Sequence, residues 1–81
     1  MTTLPIIDAK ATGQKISEKR QKAGYTVRQL QKRLGFTNPQ AIYKWQRGDS
    51  VPCIDNLVAL SVILKVKIDD IVVYRIPESD E

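Results

Sequence analysis

The chain has 81 residues, 42% hydrophobic and 27% charged, enough for one small core and too apolar for wholesale disorder. No apolar run approaches the ~18–20 residues that span a bilayer, the N-terminus lacks a signal-peptide pattern, and the single Cys53 cannot close an intrachain disulfide, so a cytoplasmic protein is expected. The net charge of +4 is unevenly spread: residues 10–47 carry ten bases against Glu18 alone, the rest three bases against eight acids. Such segregation suits a polyanion such as nucleic acid, with a merely solubilising basic face as the alternative.

Residues 1–8 read as an arm, because Pro5 blocks an early helix while Ile6 or Ile7 can pack back on the domain. Asp8 is a plausible N-cap for a first helix from about residue 9 to Ala23, with Gly24 as the left-handed residue that ends it. Its apolar positions are sparse (Ala9, Ile16, Ala23), and Gly13 permits close backbone contact with a neighbouring helix. Thr26 and Gln29 form a capping box that opens a second helix, in which Val27, Leu30 and Leu34 share one face. Gly35 closes it after about two turns.

Thr37 or Asn38 caps a third helix of roughly residues 39–46, with Pro39 at its first position, where a missing N–H costs nothing. At about 100° per residue, Gln40, Tyr43, Lys44 and Arg47 fall together, and Ala41, Ile42 and Trp45 occupy the opposite side. The first set must face outward and the second must bury. Gly48 to Pro52 is a connection to a fourth helix from about Cys53 to Leu64, apolar nearly all the way round. So much apolar area on one helix implies cover beyond its own core. Lys67 to Ile71 starts a short fifth helix, with Asp69 and Asp70 favourably placed in its first turn. Val72 to Ile76 is either the end of that helix or an extended segment, and residues 77–81 form an acidic, frayed tail. Five helices are expected, in an all-α domain over residues 9–76.

The ordered set of Ile16 and Arg20, Gly24-Tyr25-Thr26, Leu30, Leu34-Gly35, the run from Ala41 to Gly48, Pro52, and Leu57, Leu60 and Leu64 leading to Val66–Ile71 resembles the helix-turn-helix domain of the lambdoid phage repressor and Cro proteins, including the Xre-like regulators. The resemblance covers about residues 9–73. It implies a five-helix λ-repressor-like fold, a third helix that reads the DNA major groove, and a homodimer on a near-palindromic site. Three departures stand out. Val27 replaces the Gln that often opens the second helix, Gln31 replaces a small residue where helices 2 and 3 meet, and the turn Gly35-Phe36-Thr37-Asn38 is one residue longer than usual. Gln46 also replaces a Glu that pairs with the arginine of the first helix, which leaves Arg20 a neutral hydrogen bond.

Under that resemblance Gln40 is the first candidate for base readout, since its amide can pair bidentately with adenine. Tyr43 can touch a thymine methyl or a backbone oxygen, and Lys44 can reach guanine or a phosphate. Arg28 and Arg47 are expected phosphate anchors; Asn38 either contacts DNA or simply caps the helix. Trp45 belongs to the core rather than to a base-stacking platform, and Cys53 is read as a small residue near a helix start. The excess apolar residues Ala59, Val62, Val72, Val73, Tyr74 and Ile76 are the expected dimer surface.

Catalysis finds little support. The chain has no histidine, no metal-ligand cluster and no phosphate-cradling glycine motif, and Asp69 and Asp70 point to different sides of a helix. No cofactor, metal, membrane or small-molecule substrate is expected; double-stranded DNA and a second copy of the chain are the expected partners. The alternative is a protein-interaction module on the same fold, an antitoxin-like partner or a bridging factor.

Overall fold

The computed structural model describes residues 4–77. Four α-helices are found among them: α1 (Ala9–Lys22), α2 (Val27–Leu34), α3 (Gln40–Arg47) and α4 (Ile54–Leu64). A single 3-10 turn, Ile68–Asp70, follows α4, and two short strands, β1 (Ile6–Ile7) and β2 (Tyr74–Arg75), pair antiparallel.

Local chemistry explains where the helices begin and end. The Asp8 carboxylate accepts the N–H of Ala11 at 3.0 Å and opens α1. The Thr26 hydroxyl accepts the N–H of Gln29, and the Gln29 side-chain oxygen accepts the N–H of Thr26, the reciprocal pair that opens α2. Gly35 and Gly48, at φ 77° and 83°, take the left-handed conformation that closes α2 and α3.

Each of the four helices contributes to a common core: Ile16, Leu30, Ile42, Trp45 and Leu60 are buried together, with Ile71 just after the 3-10 turn. α1 lies directly on α3. A methyl group on Gly13 would overlap the Trp45 carbonyl oxygen and come within 2.9 Å of that of Gln46, so the bare backbone at this position sets the depth at which α3 sits.

The expected fifth helix is one turn instead. The Asp70 carboxylate accepts the N–H of Lys67 at 3.0 Å and fixes the turn, and Val72 donates the last helical bond to Ile68. The chain is then captured by α1. Val73 donates its N–H to the Thr12 hydroxyl at 2.9 Å, and its carbonyl accepts the N–H of Asp8 at 2.8 Å. These bonds hold Val73 extended and lead into β2, whose Tyr74 and Arg75 lie opposite Ile7 and Ile6. Of the two readings for 72–76, the extended one holds, and part of the expected arm is a strand. Residues 1–3 of the arm and 78–81 of the acidic tail lie outside the described residues. No described helix is long and apolar enough to cross a membrane.

Candidate nucleic-acid interface

The short spacing between α2 and α3 is bridged by a turn that one glutamine holds on two sides. The Gln31 main-chain carbonyl accepts the N–H of Phe36 at 3.1 Å, while the Gln31 side-chain amide donates to the Phe36 carbonyl at 3.2 Å. The Phe36 ring packs edge-on against Trp45, centroids 5.9 Å apart at 67°. Two residues on, the Asn38 side-chain oxygen accepts the N–H of Gln40 at 3.0 Å. Of the two capping candidates it is therefore Asn38 whose side chain satisfies the first turn of α3. The helix begins one residue later than expected: Pro39, half-buried, is the N-cap and not the first helical residue, and its carbonyl accepts the N–H of Tyr43.

α3 divides cleanly. Ile42 and Trp45, the latter 4% exposed, are buried, while Gln40, Tyr43, Lys44 and Arg47 face solvent, Tyr43 by 44%. Those four line one shallow concavity. Tyr43 and Lys44 lie about one turn from Gln40 on one side and from Arg47 on the other, so a glutamine amide, a phenol, an ammonium and a guanidinium share a strip two turns long. The Trp45 indole is consumed by the core and by Phe36, and offers no platform for bases.

Arg20 braces the strip from behind. It donates to the Gln46 side-chain oxygen at 3.1 Å and to the Tyr25 carbonyl at 2.7 Å, which joins α1 to α3 and to the entrance of α2. The neutral bond expected from Gln46 is formed. Arg28, like Asn38, is exposed, but neither lines the α3 concavity.

Two pairings lie outside the sequence reading. Arg47 donates to the Asp49 carboxylate at 2.9 Å across the turn at Gly48. Both side chains are more than half exposed, so the pair is worth at most ~1 kcal/mol and readily yields to another anion. The sequence signal was an acid two places beyond a helix-ending base. Arg33 lies over the Tyr25 ring at 5.7 Å. Among the described residues, Arg28, Lys32 and Lys44 have no carboxylate within ion-pairing distance.

Of the residues singled out for a dimer surface, Val62, Tyr74 and Ile76 are exposed. Ala59, Val72 and Val73 are half-buried, Val72 against the core. α4 also exposes Ile54 and Val58, which with Val62 repeat every fourth residue along one side. The apolar belt of α4 is thus split: Leu57, Leu60 and Leu64 face the core, and the other stripe is uncovered. Cys53 is exposed at the N-cap.

The family model for helix-turn-helix proteins matches residues 16–71. The chain belongs to this family, in its Xre and λ-repressor-like branch, whose members are DNA-binding transcription regulators. Among solved structures it is similar to the restriction-modification controller protein C.AhdI from Aeromonas hydrophila, with a TM-score of 0.71 and 20% identity over 79% of this chain and 96% of that one. The likeness is one of fold. A search of curated proteins finds no significant match.

Proposed function

We propose that this protein is a sequence-specific regulator of transcription, a repressor that binds as a homodimer and inserts α3 into the major groove. The observation that carries the reading is the division of α3: indole and aliphatic carbon inward, and Gln40, Tyr43, Lys44 and Arg47 outward on one strip. A major groove about 12 Å wide admits a single helix, and such groups match base edges and phosphates. Gln40 reads adenine, Tyr43 and Lys44 extend the base contacts, and Arg28, Asn38 and Arg47 hold phosphates. That the similar C.AhdI is described as a controller protein supports the regulatory role.

The second copy is supported by the uncovered stripe of Ile54, Val58 and Val62, by Tyr74 and Ile76, and by the partial exposure of Ala59, Val72 and Val73. Two recognition helices then meet half-sites about 34 Å apart. Selection of binding sites from a random DNA pool tests the whole reading: an enriched palindrome is expected, and a pool that never enriches refutes it. Sedimentation tests symmetry separately, since a strict monomer at high concentration, free and on DNA, removes the dimer. The same apolar stripe favours the alternative, a protein-interaction module. That reading gains ground if a stoichiometric protein partner is captured and no DNA probe shifts at low salt.

A further inference from the structure

We infer that Gln31 is a positioning residue for base readout, which acts through Phe36 to set where Asn38 and Gln40 meet the DNA. The inference rests on the proposed role of α3 and goes beyond it, because Gln31 lies on α2 and touches none of the side chains assigned to bases.

The argument starts from the length of the turn. Four residues, Gly35 to Asn38, separate the last residue of α2 from Pro39. Its first two residues keep main-chain bonds to α2, Gly35 N–H to the Lys32 carbonyl and Phe36 N–H to that of Gln31; beyond them the backbone would sample several conformations unless a side chain held it. Here Phe36 is held on both sides: its N–H by the Gln31 main-chain carbonyl, as any residue there would allow, and its C=O by the Gln31 side-chain amide, which only this side chain supplies. The Phe36 ring is fixed on Trp45, which is itself buried in α3. The turn is thereby referenced to both helices at once. Its remaining freedom is taken up by the Asn38 side chain on the Gln40 N–H. Any rotation of the Phe36 peptide is carried through Thr37 to Asn38, and so to the first exposed group of the recognition strip.

A small residue at position 31 leaves the Phe36 carbonyl without this donor. The carbonyl lies in a part-buried setting, and such a group seeks a new partner by moving. The expected consequence is a turn of mixed conformations over an intact core. Specific binding needs one geometry of Gln40, whereas attraction to phosphate does not. Loss of Gln31 therefore costs selectivity before it costs adhesion.

The experiment compares Gln31→Met, which keeps the volume and loses the donor, with Gln31→Ala and with Gln40→Ala, on the enriched DNA site and on a scrambled duplex at one salt concentration. The expected result is a three- to tenfold loss on the specific site for both Gln31 variants, as for one hydrogen bond, with binding to the scrambled duplex unchanged and the Gln40 amide resonance shifted or broadened. Thermal melts of each variant separate this from instability. If both Gln31 variants keep full selectivity while Gln40→Ala loses it, or if they weaken both duplexes equally, the positioning role is overturned and the reading of α3 survives. If Gln40→Ala also keeps full selectivity, the role of α3 in base readout falls, and the positioning role with it.

Discussion

Replacing Gly13 by alanine sets two effects of known size against each other. Gly13 lies inside α1, and removing a glycine from a helix interior ordinarily stabilises by ~0.5–1 kcal/mol. The added methyl, however, would occupy the space of the Trp45 carbonyl oxygen and press on that of Gln46. Both obstacles are main-chain atoms of α3, so no side-chain rotation can relieve them; α1 and α3 must separate. Overpacking of this kind costs about 1–3 kcal/mol, toward the upper end where rigid backbone is displaced. The net effect is a loss of ~2 kcal/mol from a domain whose total stability at this length is of order 4–12 kcal/mol. At roughly 4–8 °C per kcal/mol, the melting temperature should fall by about 8–16 °C. Thermal denaturation followed by circular dichroism measures it, with Gln14→Ala, exposed on the next residue of the same helix, as the control for propensity alone. A Gly13→Ala protein that melts at or above the parent temperature would refute the close approach of α1 and α3.

Thr12→Val keeps shape but leaves the Val73 N–H without its acceptor, at a cost of about 1–3 kcal/mol; amide exchange should accelerate at Val73 and at Asp8, and unchanged rates would contradict the capture of this segment. Arg20→Met keeps the aliphatic stem and loses the bonds to Gln46 and Tyr25, so urea denaturation should show ~2 kcal/mol less stability. Asp49→Asn removes the anion on Arg47. Affinity for DNA of any sequence should rise by a few fold at low salt, and the gain should shrink as salt is raised. A gain confined to one sequence would show that Arg47 reads bases.

What the sequence made legible is local, and what it hid is long-range. The Asp8 cap, the Thr26–Gln29 box and the left-handed Gly24 each depend on residues within three or four places of one another, and each is where the sequence puts it. The two-sided character of α3 follows from 3.6-residue periodicity in the same way. A fifth helix is expected because Ile68 to Val72 has a helical pattern, whereas the segment that follows is bound by Thr12, 61 residues earlier in the chain. Two-residue strands carry no periodicity at all, so the ladder of Ile6–Ile7 on Tyr74–Arg75 had no signature to find. For α4 an apolar surround was visible, but only packing shows that Leu57, Leu60 and Leu64 are spent on the core while Ile54, Val58 and Val62 are not. Within the candidate site, spacing identifies the outward residues; Gln31 and the longer turn stand out as departures, but which carbonyl the Gln31 amide meets is decided by the fold of the turn and not by any spacing.

The pairing of Ile6 with Arg75 brings the first and last strands side by side, and this makes the stretch between them a ring closed by a weak clasp. A flexible tether joining the start of β1 to the end of β2 across that clasp would close the stretch between them into a circle without touching α3. The entropy of closing so long a loop would then be removed from the folding reaction. The circle could equally be opened again elsewhere, at the exposed stretch Asp49–Val51 between α3 and α4, giving the same helices in a different order along the backbone.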